Sequence, residues 1–267
     1  MAMSSRPPVK LAALEKELHD LGKVVVAFSG GVDSGLLAWV ANSVLGPPGA
    51  LCVTAVSASL AATELEACRK YARQWGLRLR EVHTEEFDNP DYVSNGSDRC
   101  YHCKNALMDA LEPIAEDEGA TVVLGVNLDD LSDVRPGQAA AQQRGAVFPF
   151  VRAGIGKEEV RSIAGSLSLD IWDKPSMACL SSRIPHGTPI EVGMLSQVAR
   201  AENALRKLGL RQVRVRHHGE IARLEIGADE LPAAMDMRME ILHAVYGVGF
   251  KYVVLDLEGY RTGGGMW

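Results

Sequence analysis

Lys23-Val-Val-Val-Ala-Phe-Ser-Gly-Gly-Val-Asp-Ser34, continued by Gly35-Leu-Leu-Ala-Trp-Val-Ala-Asn-Ser-Val-Leu45, decides the fold. An apolar run of strand length leads into two glycines and then into a helical segment. Glycine lets the backbone turn sharply and approach a ligand closely. Amide groups at such a turn and at the following helix N-terminus form an anion nest. Ser29 and Ser34 add hydroxyl donors to Gly30, Gly31 and Val32. Asp33 fits a phosphate cradle only if a divalent cation such as Mg2+ bridges carboxylate and phosphate. An ordinary glycine turn would not need this combination of residues.

Working outward, the same alternation continues. Leu11–Leu21 has apolar residues at helical spacing and predicts a leading helix. Leu51–Val56 is a continuous apolar run suited to a buried parallel strand. Ala61–Trp75 predicts a helix ended by Gly76, and Leu79–His83 a third strand. Asn89–Ser97 is polar and turn-rich, a candidate lid. Lys104–Glu118 predicts a helix ended by Gly119, and Thr121–Gly125 a fourth strand. Repeated βα units imply an α/β, doubly wound parallel sheet. Ligands of such sheets bind beyond the carboxyl ends of the strands, where the glycine loop falls. The pattern changes near Pro175. Beyond it come a loop and helix over Ile190–Leu208, short strands Gln212–Arg216 and Ile221–Ile226, a helical Ala228–Tyr246 and a last strand Tyr252–Asp256. The expected division is residues 1–175 as the nucleotide domain and 176–267 as a smaller α/β domain, with the tail Thr262–Trp267 expected to be mobile.

The 267 residues are 47% hydrophobic and 23% charged, enough for a full core without staples. A net charge of −6 argues against a general nucleic-acid binder. The N-terminus lacks the apolar core of a signal peptide, and no run approaches the ~18 apolar residues of a spanning helix. The expectation is a soluble cytoplasmic protein, with no membrane partner. Five cysteines then suggest metal or reactive thiols rather than a disulfide framework.

Cys100-Tyr-His-Cys103 is a C-x-x-C pair, compatible with a redox dithiol, half a zinc site or part of an iron–sulfur site. Cys179 stands in Lys174-Pro-Ser-Met-Ala-Cys-Leu-Ser-Ser-Arg183, a loop of small and polar residues. Cys52 and Cys68 fall in a strand and a helix and read as core thiols. Arg214 and Arg216 occupy alternate strand positions and so share one face, where guanidinium forks suit a phosphate.

The loop resembles the pyrophosphatase-loop signature S-G-G-x-D-S, and lacks the lysine and spacing of a Walker A loop. With Arg99–Lys104, Gly125–Gly137, Trp172–Gly187 and Gln212–Gly219, the chain resembles the LarE family over Val24–Leu255. These are ATP-dependent sulfur transferases that build the nickel-pincer nucleotide cofactor of lactate racemase. The resemblance implies that ATP adenylylates a carboxylate of a pyridinium biscarboxylic acid mononucleotide, a small-molecule nucleotide substrate. Sulfur then displaces AMP to give a thiocarboxylate. It implies Ser29–Ser34, Gly125 and Asn127 at the ATP, Mg2+ beside Asp33, and catalytic roles for Cys179, Asp33 and Lys104. Arg214 and Arg216, joined by Ser182 and Arg183, correspond to a substrate-phosphate clamp. Lys104 either orients the acyl-adenylate or caps its helix.

The family uses two sulfur sources. Either the residue matching Cys179 surrenders its own sulfur, or three cysteines hold a [4Fe-4S] cluster reloaded by a sulfide or persulfide donor. Because Cys100 and Cys103 accompany Cys179, the cluster is the favoured expectation and the sacrificial thiol the alternative. The resemblance also suggests a homo-oligomer. Asp129, Asp130, Glu220 and Glu225 are weaker candidates, and Asp133 with Arg135 a structural pair. Rival readings are an ammonia-using amide synthase, which has no role for Cys179, a transfer-RNA thiolation enzyme, which wants a basic surface, and a nucleotide-binding regulator.

Overall fold

The computed structural model describes residues 6–132, 136–175 and 178–261. The Asp133–Arg135 pair, the Ser176-Met177 part of the cysteine loop and the tail Thr262–Trp267 lie outside the described residues. In chain order the first elements are α1 (Arg6–Leu21), β1 (Val24–Ala27), α2 (Val32–Gly49), β2 (Ala50–Val56), α3 (Ala62–Trp75), β3 (Arg78–His83), α4 (Pro90–Val93), α5 (Arg99–Glu118) and β4 (Thr121–Val123). They are followed by α6 (Pro136–Gln143), α7 (Pro149–Arg152), α8 (Lys157–Ser166), α9 (Val192–Lys207), β5 (Val213–His218), β6 (Ile221–Ile226), α10 (Leu231–Asp236), α11 (Arg238–Tyr246) and β7 (Tyr252–Leu255).

The chain forms two compact units. The first comprises residues 1–57, 62–86 and 100–177. Its sheet is parallel, in the order β3-β2-β1-β4. Strand periodicity explains why Val24-Val-Val26 has no polar residue: successive side chains enter opposite layers. Val24 and Val26 pack with Leu36, Leu37 and Val40 of α2, Leu14 and Leu18 of α1, and Ile163 of α8. Val25 packs on the other face with Leu51, Val53, Met108, Leu111 and Val122. Both faces are therefore covered, as a parallel sheet requires. β1 leads outward through β2 to β3, whereas β4 pairs on its other side. The switch point thus lies between β1 and β4, at the carboxyl ends where the glycine loop begins.

The second unit comprises residues 58–61, 87–99 and 178–267. Its sheet runs β5-β6-β7, antiparallel then parallel. α9 carries Leu195, Val198, Ala201 and Leu205 at helical spacing, all buried. Val213, Val215, Ala222, Leu224 and Ile226 are the buried apolar positions of its strands. The expected continuous helix over Ala228–Tyr246 is two helices, α10 and α11, parted at Met237. Asn89–Ser97 belongs to this unit's body. Asn95 is fully buried in the left-handed region (φ 59°), which asparagine tolerates better than most residues. Its Nδ2 donates to the carbonyls of Pro185 (2.8 Å) and Thr188 (2.9 Å), and its Oδ1 accepts from Arg99 Nη1 (2.6 Å).

Candidate active site

In the first unit the loop after β1 is held by its own hydroxyls. Ser34 Oγ accepts from the Ser29 amide (3.2 Å) and lies 3.0 Å from Ser29 Oγ. Gly30 has φ 69°, and a Cβ there would fall 2.9 Å from Cys68 Sγ. Only glycine satisfies both the angle and the space. Gly125 follows β4 for a related reason: a Cβ on it would lie 2.9 Å from Asp33 C and Ser34 N. The bare backbone of one strand end thus abuts the loop of its neighbour.

Asp33 sits in the first turn of α2, where the helix dipole favours a carboxylate. Asn127 Nδ2 donates to its Oδ1 (3.0 Å), and Lys157 Nζ, at the first position of α8, bonds its Oδ2. Asn127 is itself fixed: its Oδ1 accepts from the Asp129 amide (3.0 Å), and its own amide donates to Asp130 Oδ2 (3.2 Å). Asp129 Oδ2 accepts the Lys157 amide. Asp129 and Asp130 thereby shape the loop that presents Asn127 and Lys157. A second lysine reaches the loop from outside the motif, since Lys174 Nζ donates to Gly30 O at 2.9 Å.

Cys52 and Cys68 are buried, and desolvation pushes their thiols up to about 12 and about 11. They are core thiols. Cys100 is exposed and Cys103 half-buried, within the first two turns of α5, which begins at Arg99 rather than at Lys104. Helical geometry separates the pair by three residues on one face. Lys104 follows on the same helix, with its Cβ 3.5 Å from where a Cβ on Gly137 would stand.

In the second unit Cys179 is exposed, immediately before a short helical turn Leu180–Arg183. Arg183 holds that turn from inside. Its Nη1 donates to the carbonyls of Ala178 (2.8 Å) and Cys179 (3.1 Å), and its Nε and Nη2 clasp Glu202 at 2.8 and 3.2 Å. Ser182 Oγ donates to Cys179 O at 2.8 Å. Both partners of the ion pair are almost wholly buried. Burial works against ionisation of Glu202, yet Arg183, Arg206 and the Val215 amide hold its carboxyl below the usual range.

Arg214 and Arg216 do share a face, but their circumstances differ. Arg216 is clasped by Glu225 (2.8 and 3.1 Å) and donates to Ser182 O at 2.6 Å. Glu225 also accepts from Arg223 and is buried, so it is an ion-pair residue; Glu220 is paired at the surface with Lys251. Arg214 is 6% exposed, and among the described residues no carboxylate pairs with it. It stacks on the Tyr260 ring (4.4 Å), donates to Tyr260 OH (2.7 Å), and its Nε has no partner among the described residues. Burial lowers its pKa. A buried cation with a donor to spare is what an anionic group would complete.

Sequence reasoning missed Lys157, Lys174 and Glu202. Lys157 had a signal, as the first residue of a helix after Gly156; the other two had none. Among the described residues no three His, Cys, Asp or Glu side chains gather to hold a metal ion. Cys100 and Cys103 fall in the first unit and Cys179 in the second.

Parallel sheet, switch-point loop and Asp33 geometry define the class: an α/β protein of the pyrophosphatase-loop type. No protein-family model matches the chain. An uncharacterized protein of Synechocystis is 45% identical over 257 residues, covering 95% of this chain and 96% of that one. The pyridinium-3,5-bisthiocarboxylic acid mononucleotide synthase of Lactiplantibacillus plantarum is 35% identical over 256 residues, 95% of this chain and 92% of its own. An uncharacterized protein of Methanocaldococcus jannaschii is 29% identical over 255 residues, 95% of this chain and 97% of its own. The chain belongs to the LarE family, that of the bisthiocarboxylic acid mononucleotide synthase. No helix of the described residues is long and apolar enough to cross a membrane.

Proposed function

We propose that this enzyme is an ATP-dependent sulfur transferase that converts a carboxylate of a pyridinium biscarboxylic acid mononucleotide to a thiocarboxylate, for a nickel-pincer cofactor. The observation that carries the reading is Asp33, a carboxylate in the glycine loop after β1, in a chain 35% identical over 95% of its length to the synthase.

The first unit is the activation domain. Loop amides and the Ser29 and Ser34 hydroxyls would receive the β- and γ-phosphates. A lone carboxylate suits Mg2+, which takes one or two protein carboxylates and completes its shell with phosphates and water. Bound there, Mg2+ would offset charge as pyrophosphate departs. Lys157 holds the Asp33 carboxylate aimed, and stands ready to donate to phosphate instead. The substrate carboxylate oxygen attacks the α-phosphorus, the bond to the β-phosphate oxygen breaks, and an acyl-adenylate forms. The second unit holds the substrate phosphate through Arg214, a buried arginine with unspent donor capacity, and presents Cys179. The Cys179 sulfur attacks the activated carbonyl and AMP leaves, giving a thioester. Loss of the Cys179 α-proton and cleavage of its Cβ–S bond then release the thiocarboxylate and leave dehydroalanine.

A [4Fe-4S] cluster on Cys100, Cys103 and Cys179, reloaded by sulfide or persulfide, is the other source of sulfur. Because Cys100 and Cys103 belong to the first unit and Cys179 to the second, no step is routed through it. Anaerobic protein given Mg-ATP and the biscarboxylic mononucleotide should release pyrophosphate and AMP in equal amounts. Cys179 should lose the mass of one hydrogen sulfide. No pyrophosphate release with this acceptor overturns the activation step. Four irons per chain, lost in Cys100→Ala, Cys103→Ala and Cys179→Ala, would replace the sacrificial thiol with the cluster.

A further inference from the structure

Lys174 lies outside the glycine loop, yet its ammonium is mostly buried and makes three contacts in the first unit. It donates to Gly30 O at 2.9 Å and to Glu64 Oε2 at 2.8 Å, and stands 5.7 Å from the centre of the Tyr71 ring. The lysine is also fixed from behind. Arg161 of α8 donates to the carbonyls of Trp172 (2.7 Å) and Lys174 (2.9 Å), and the Lys174 amide donates to Ile171 O at 3.0 Å. A strap from α8 to α3 therefore ends on one carbonyl of the phosphate loop.

The consequence is conformational. In a trans peptide the C=O and the following N–H point in opposite directions, and the chain has no cis bond among its described residues. With Gly30 O drawn to Lys174, the Gly31 N–H faces the other way. Gly30 and Gly31 together form the one peptide in this loop with little steric resistance to rotation. Rotated by half a turn, it would offer a carbonyl oxygen, not an amide, to a phosphate.

We infer that Lys174 is a positioning residue for nucleotide binding: it latches the Gly30–Gly31 peptide so that the Gly31 amide is presented to the phosphates of ATP. The inference rests on the proposed ATP reaction. Glu64 neutralises the ammonium, so the latch adds no net charge at the loop, and Tyr71 supports its stem.

The test compares wild type, Lys174→Met, Lys174→Arg and Lys174→Gln by the single-turnover rate of pyrophosphate release, since Cys179 is consumed, with KM taken as the substrate concentration at half-maximal rate. Concentrations of Mg-ATP and of the biscarboxylic mononucleotide are varied separately, and thermal melts are recorded alongside. Losing an oriented donor to a charged group corresponds to about tenfold to a hundredfold in affinity. KM for ATP should rise by that factor in Lys174→Met, with KM for the mononucleotide within about twofold of wild type. Lys174→Arg should restore ATP binding. If Lys174→Met does not fold, the shorter Lys174→Gln, which cannot reach Gly30 O, must show the same selective rise. An unchanged ATP KM, an equal rise for both substrates, or no rescue by arginine overturns the latch. No pyrophosphate from wild type overturns the ATP reading itself, and with it this inference.

Discussion

Replacing the buried Glu202 by alanine tests the scaffold beneath Cys179. The carboxylate is 1% exposed and accepts from Arg183 twice, from Arg206 Nη2 (2.8 Å) and from the Val215 amide (3.1 Å). In Glu202→Ala, Arg183 keeps the Ala178 and Cys179 carbonyls and Ser182 Oγ but loses its counter-charge while remaining buried. Breaking a buried pair by removing one partner costs about 3–5 kcal/mol. At about 2–4 °C per kcal/mol for a chain of this size, Tm should fall by roughly 6–20 °C at pH 7. The pH dependence has a definite sign. The folded pKa of Glu202 is depressed, so its contribution is present above the unfolded value of 4.5 and lost as pH falls through the lower folded value. Calorimetric melts of wild type and variant should therefore converge on acidification. A Tm loss below about 2 °C at pH 7, or a gap that widens below pH 4.5, refutes the reasoning.

Three further outcomes follow from the geometry. Asp33→Asn keeps a polar group beside Asn127 but removes the charge a divalent ion needs, so pyrophosphate release should drop by about a hundredfold or more with Tm nearly unchanged; an active variant would remove the metal from the loop. Arg216→Met strands Glu225 with Arg223 alone and should cost about 3 kcal/mol in denaturant melts, whereas Arg214→Met removes a buried cation lacking a carboxylate and should cost little stability while raising the mononucleotide KM tenfold or more; equal behaviour of the two variants would contradict the distinction drawn between them. In iodoacetamide at pH 8, Cys52 and Cys68, raised to about 12 and about 11, hold only about one thiolate in ten thousand and one in a thousand. They should stay unlabelled by peptide mass mapping while exposed Cys100 and Cys179 react; rapid labelling of Cys52 in folded protein would contradict its burial.

What the sequence made legible was whatever depends on neighbours in the chain. Val24-Val-Val26 could only be a strand covered on both faces, and Gly30-Gly31 could only be a turn, because both follow from local sterics and burial. The start of α5 was misjudged for a related reason. Arg99, Cys100 and Cys103 look like loop residues by composition, but Arg99 is fixed by Asn95 and donates to Ser181 O at 3.0 Å. Those partners lie 4 and 82 residues away. Likewise the polar stretch Asn89–Ser97 resembles a lid until Asn95 is seen buried among the carbonyls of Pro185 and Thr188.

The arginines expose the limit most clearly. Periodicity correctly put Arg214 and Arg216 on one face, yet it could not tell a guanidinium with donor capacity left from one already spent. That difference comes from register: β6 sets Glu225 directly across from Arg214, but the carboxylate leans to Arg216 and is shared with Arg223. The same holds for the two lysines of the glycine loop, whose partners stand 124 and 144 residues away. Lys157 bonds the very carboxylate proposed to hold the metal. Charging the loop with Mg-ATP would then exchange one cation for another at Asp33, freeing the lysine for phosphate while the Lys174 contact to Gly30 stays in place. A loop with one exchangeable and one permanent cation can keep Asp33 paired before and after the ligand arrives, so the carboxylate is never left unpaired in a site built for anions.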